Sequence, residues 1–104
     1  MENTINVAFQ ILPKSKTKGT YELVDVAIEV IQKSGLNYKV CPFETVIEGS
    51  YDEVMSAIKK AQQACLQAGA EEFLAYIKLQ VNKEKDVLIS DKIEKYGNER
   101  KPVG

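Results

Sequence analysis

The hydrophobic pattern of this chain switches repeatedly between the strand period and the helix period, and few folds accept that order. Ile5, Val7, Phe9 and Ile11 alternate with Asn6, Ala8, Gln10 and Leu12, the period-2 mark of a strand. Pro13 is expected to end that strand, with Lys14–Gly19 as a loop. Thr20 is the expected cap of a first helix, with Glu22 and Asp25 near its positive end. Leu23, Val24, Ala27, Ile28, Val30 and Ile31 form its apolar stripe, and Gly35 stands where a left-handed C-cap residue belongs. Two short strands follow, about Asn37–Cys41 and Glu44–Gly49, broken by Pro42 and read as a hairpin. Ser50 and Glu53 fit a capping box opening a second helix. Its stripe is Val54, Met55, Ile58, Ala61, Cys65 and Leu66, and Gly69 stops it. Ala57, Ala61, Ala64 and Ala68 let that helix approach a sheet closely. Glu72–Val81 reads as the longest strand, with Phe73, Ala75, Ile77, Leu79 and Val81 on one face. Asn82–Asp86 is a polar turn, and Ile89, Ile93 and Tyr96 suggest a short C-terminal helix.

The order is therefore βαββαβ followed by a short helix. This predicts an α+β, ferredoxin-like arrangement, a four-stranded antiparallel sheet with two helices on one face. Residues 1–96 are expected to form a single domain, and 97–104 a polar tail. Ile5, Val7, Phe9, Ile11, Phe73, Ile77, Leu79 and Val81 are the natural helix-facing set. The opposite face then carries Asn6, Ala8, Gln10, Leu74, Tyr76, Lys78 and Gln80. Only the C-terminal helix is available to cover that half-apolar face, which suits subunit packing.

Composition narrows the chemistry. The 104 residues include 14 Lys and Arg against 15 Asp and Glu, a formal net charge of −1. Duplex-DNA binders normally carry a basic surplus, so no nucleic-acid partner is expected. There is no His, which removes histidine-based nucleophilic catalysis and histidine metal sites. Cys41 and Cys65 form no CxxC pair, so no metal site is expected and both thiols read as small apolar core residues. No cofactor is expected. Without a signal peptide or a long apolar run, the expected location is the reducing cytoplasm, away from any membrane. Several ferredoxin-like activities lack their motifs. No GxxCxxC metal loop follows the first strand, no aromatic RNA-binding signature occurs in the third, and there is neither a Gly-rich phosphate loop nor an acylphosphatase-like Arg.

The most unusual string is Cys41-Pro42-Phe43-Glu44-Thr45-Val46-Ile47-Glu48-Gly49. If Ile47 packs under the helices, Glu48 points to the open sheet face, toward Gln10. A carboxylate in a partly covered groove can accept from an amino-heterocycle or balance an organic cation; the plainer alternative is a solvated strand carboxylate. Thr45 offers a hydroxyl on the Ile47 side. Gln10 offers an amide, for a ligand or a subunit contact. Tyr76 offers a stacking surface or an interface aromatic. Lys78 is a candidate partner for Glu48. Lys14–Lys18 reads as a solvated loop.

These residues resemble a known family. Pro13 after the first strand, Ser34-Gly35-Leu36-Asn37-Tyr38, Pro42-x-x-Thr45-x-x-Glu48-Gly49, Tyr51-Asp52-Glu53-Val54-Met55, Ala68-Gly69-Ala70 and Lys92-Ile93 are similar to the thiamine-binding protein family of small ferredoxin-like proteins. The resemblance spans about residues 4–96. It implies a ferredoxin-like fold, dimers or tetramers joined through sheet faces, and binding of thiamine or its hydroxymethylpyrimidine moiety without catalysis. Thr45 and Glu48, with Gln10, are the positions it implies for the ligand, and Tyr76 shares the open face. The sequence departs from the family pattern at Glu71-Glu72 and Asn82-Lys83. The competing reading is a structural or regulatory protein whose open face only joins subunits or a partner.

Overall fold

The computed structural model describes residues 2–96; the expected tail, 97–104, lies outside the described residues. The elements are β1 (Ile5–Lys14), α1 (Thr20–Lys33), β2 (Asn37–Val40), β3 (Thr45–Gly49), α2 (Tyr51–Gln67), β4 (Glu72–Gln80) and α3 (Ile89–Ile93). The strands form one sheet in the order β2-β3-β1-β4, every pair antiparallel. This is the ferredoxin-like arrangement the element order predicts.

The core lies between the sheet and the two long helices. Ile5, Val7, Phe9 and Ile11 of β1 and Ile47 of β3 meet Leu23, Ala27 and Ile31 of α1. Val54, Ala57, Ile58, Ala61 and Cys65 of α2 complete it. The β1 alternation is buried as predicted, and so are Leu23, Ala27 and Ile31 of the first helical stripe and Val54, Ile58, Ala61 and Cys65 of the second, while Val24, Ile28, Val30 and Met55 are only partly buried. Small residues at Ala57 and Ala61 are buried, which lets α2 approach its neighbours closely.

Local chemistry sets the element ends. Ser50 caps α2: its Oγ accepts from the Glu53 amide at 3.2 Å and donates to the Glu53 carboxylate at 2.9 Å. Gly35 and Gly69 follow α1 and α2 with φ of +82° and +123°, conformations that a Cβ penalises. The turn between β2 and β3 closes when the Cys41 amide donates to the Glu44 carbonyl at 2.9 Å.

Several expectations are corrected. Pro13 does not end β1, which runs to Lys14 with Pro13 opposite Phe73. Pairing with β3 stops at Phe9, so beyond it, among the described residues, β4 alone pairs with β1 and a missing donor on the other side is harmless. Gly19, not Thr20, is the N-cap of α1, without a side-chain cap. Cys41, Glu44 and Val81 fall outside the strands. Ile77 and Leu79 share the register of Phe9 and Val7 yet remain 37% and 47% exposed. They lie on the edge strand, beyond the cover of the helices. Leu66 and Tyr96 are exposed rather than packed.

The open face is not uniform. The segment after β4 returns across one end of it. Thr4 donates its amide to Asp86 at 2.8 Å, Val87 donates to the Thr4 carbonyl at 2.9 Å, and the Asn6 side chain donates to the Val87 carbonyl at 2.8 Å. Val87 and Ile89 are buried there. The other end, with Leu12, Leu74 and Tyr76, stays bare.

Candidate functional site

A cavity of about 590 Å³ opens between α1, the second half of β1 and the β2–β3 turn. It exists because β1 outruns β3: past Phe9, among the described residues, no strand lies beside β1 on that side. Phe9, Ile11, Val24 and Ile28 give it apolar walls, while Asp25 and Glu44 bring carboxylates. Tyr21 and Phe43 belong to the same lining and are 86% and 82% exposed. Exposed aromatics beside an apolar hollow offer stacking surfaces at low cost in side-chain freedom.

Of the expected site residues, Thr45 lines this cavity. It is 6% exposed, on the helix side with Ile47 as its alternation predicted. Gln10 borders the cavity, but its strand position puts its side chain on the opposite face, cross-strand from Tyr76. Tyr76 is 55% exposed. Glu48 sits on the open face opposite Asn6, not toward Gln10. Its carboxylate is already engaged: Oε2 accepts from Asn37 Nδ2 at 2.8 Å and Oε1 from the Ile89 amide at 2.6 Å. Lys78 pairs with Glu44 at 3.1 Å rather than with Glu48. The four residues therefore do not converge. Thr45 is at the cavity, Gln10 and Tyr76 are at the bare end of the open face, and Glu48 is under α3.

Tyr21, Asp25 and Phe43 also line the cavity, and no short motif marks them as site residues. A signal for the first two was present. Tyr21, Val24, Asp25 and Ile28 form a second seam on α1 at i, i+3, i+4 and i+7, beside the core stripe of Leu23, Ala27 and Ile31. Phe43 follows a turn proline, where an aromatic has no core to fill.

The two thiols differ. Cys65 is fully buried, its Sγ donates to the Leu23 carbonyl at 3.2 Å, and burial pushes its pKa up. Cys41 is only half-buried, on the cavity lining, which corrects its expected core role. A disulfide reagent such as dithionitrobenzoate is expected to titrate one thiol in the native protein and two in denaturant. Cys41→Ser is expected to abolish the native-state reaction. Equal reaction of both thiols in the native protein would contradict the burial of Cys65.

A ferredoxin-like scaffold holding an apolar cavity with a few polar groups has the general features of ligand pockets. The comparison with known proteins makes this specific. The chain belongs to the thiamine-binding protein family, whose sequence profile matches residues 7–97. It is 36% identical over 94 residues to a UPF0045 protein of Clostridium perfringens, covering 90% of this chain and 98% of that protein. The structure of a Bacillus cereus domain of unknown function superposes with a TM-score of 0.89 at 42% identity, covering 92% of each chain. A crystal structure from Thermotoga maritima, provisionally named a thiamine biosynthesis/salvage protein, superposes with a TM-score of 0.80 at 27% identity. That match covers 89% of this chain and 98% of the other. The family is named for binding. Among the described residues, no helix is long and apolar enough to cross a membrane.

Proposed function

We propose that this protein binds thiamine or its hydroxymethylpyrimidine moiety, without catalysing a reaction, in the cavity between α1 and the β2–β3 turn. The observation that carries the reading is the cavity itself: apolar walls, two exposed aromatics, and a buried threonine, Thr45, in its lining. Its volume falls in the range of about 300–1,000 Å³ typical of ligand pockets. A pyrimidine ring stacks on Phe43 or Tyr21 and hydrogen-bonds Thr45. The thiazolium cation is drawn to Asp25, because Glu44 is already paired with Lys78 at 3.1 Å. Family membership and the name of the Thermotoga neighbour support the ligand class.

Self-association belongs to the same reading, in the cytoplasm. Among the described residues no strand pairs with the outer edge of β4, and Leu12, Leu74 and Tyr76 expose apolar surface beside it. Such an edge invites a second copy, with Gln10 and Tyr76 serving that contact.

Isothermal titration with thiamine and with hydroxymethylpyrimidine tests the proposal. Thr45→Val is expected to weaken both by about tenfold, the worth of one hydrogen bond of about 1.4 kcal/mol. Asp25→Asn is expected to weaken thiamine more than the neutral pyrimidine. Absence of binding by the wild-type protein would leave the structural or regulatory alternative. Loss of affinity in Glu48→Ala with none in Thr45→Val would move the site to the open face.

A further inference from the structure

We propose a second ligand site, on the open sheet face beneath α3, for a small anion with an apolar body that carries an N–H or O–H donor. A cavity of about 400 Å³ lies there between the sheet and α3, sharing only Cys41 and Glu44 with the cavity beside α1. Its apolar surface comes from Ala8 and Val46 of the sheet and from Ile89 and Ile93 of α3. Two independent features make it a site rather than a gap.

The first is an unmet hydrogen bond. Asn6 lines this cavity and is 3% exposed. Its Nδ2 donates to the Val87 carbonyl at 2.8 Å, which fixes the amide. Turning it over would set oxygen against oxygen. Its Oδ1 is buried and accepts from no group among the described residues. A buried acceptor left unpaired costs about 1–3 kcal/mol, so Asn6 holds Val87 through Nδ2 while its Oδ1 waits for a donor.

The second is charge. Lys39, Lys78 and Lys92 line the cavity, with Glu44 as the carboxylate among them. Glu44 is engaged with Lys78 at 3.1 Å. Lys39 and Lys92 form no ion pair among the described residues. The Glu48 carboxylate nearby is held by Asn37 and Ile89. The cavity therefore carries a net positive rim over an apolar floor.

The two features select one chemistry. A carboxylate, sulfonate or phosphate meets Lys39 and Lys92. An apolar body lies on Ala8, Val46 and Ile93. A donor at the far end pairs with Asn6 Oδ1 once a small side-chain shift uncovers that buried oxygen. Thiazolium, a cation, is repelled here, so this site is not a second copy of the cavity beside α1.

Two probes carry all three parts: indole-3-acetate and 4-hydroxybenzoate. Amide and side-chain shifts in 15N NMR spectra are followed during titration of the full chain. Saturable shifts are expected at the Asn6 side chain, Ala8, Val46 and α3. Combined Lys39→Ala and Lys92→Ala, both surface changes that leave the core intact, are expected to weaken binding about tenfold, as loss of charge-assisted bonds should. 1-Methylindole-3-acetate, which lacks the donor, is expected to bind about tenfold more weakly than its parent. Thr45→Val is expected to change nothing, and thiamine is expected not to compete. Absence of shifts with both probes at millimolar concentration would overturn the proposal. So would binding that ignores both the lysines and the donor.

Discussion

Ile47→Ala is expected to lower the unfolding free energy by about 3–4 kcal/mol, within the range for removing a large buried aliphatic. Ile47 is fully buried at the middle of β3, opposite Val7 on one side and Tyr38 on the other. Strands on both flanks hold its backbone in place, so the surrounding core cannot close over the lost methyl and methylene groups. The cost then includes the residual cavity as well as the lost transfer energy. For a domain of this size each kcal/mol moves the melting temperature by about 4–8 °C. Urea titration should show a lower midpoint with an unchanged slope. Ile47→Val is the graded control, expected to cost about 0.5–1.5 kcal/mol. A cost below that of the valine variant would mean that the helices do not press on β3 as the core requires.

The fold was legible because its signals are local and repeated. Ile5, Val7, Phe9 and Ile11 alternate, and all four are buried under the helices. Ser50 and Glu53 lie three apart and make the cap. Gly35 and Gly69 stand at the left-handed positions. What escaped depends on distance. Alternation told which face Ile77 and Leu79 take, but cannot tell that the helices leave the edge strand uncovered. Pro13 reads as a break, yet its tolerance depends on β3 being too short to reach it. Thr20 looks like a cap, while the backbone at Gly19 begins the helix.

The site was harder for the same reason. Thr45 was placed correctly beside Ile47 because two residues on one strand share a face. The cavity it lines joins α1 to the β2–β3 turn, and no local pattern measures that gap. Asn6 and Val87 are 81 positions apart, and their bond is invisible to any short motif. Lys78 lay within reach of more than one carboxylate, and the structure gives it Glu44.

Glu48→Ala is the variant that separates a structural carboxylate from a ligand-binding one. The Glu48 carboxylate holds two donors from different parts of the chain, Asn37 Nδ2 and the Ile89 amide. The second bond ties β3 to the start of α3, 41 positions later. Helix α3 has only five residues, too few to be stable alone, so its place depends on Glu48, on the Asn6–Val87 bond and on buried Val87 and Ile89. Hydrogen bonds to charged groups contribute about 1.5–3 kcal/mol each, and the outer one to Asn37, on an exposed residue, contributes least. Glu48→Ala is therefore expected to cost about 2 kcal/mol overall. Amide hydrogen exchange should accelerate from Val87 to Ile93 before it changes in β1 or β3. Glu48→Gln keeps one acceptor but turns a donor toward a donor, so it should recover only part of the loss. Thiamine affinity in both variants should stay within about twofold of wild type, because the cavity beside α1 is untouched. If instead α3 exchanges as slowly as before and thiamine affinity falls, Glu48 acts on the ligand and its bond to Ile89 is incidental.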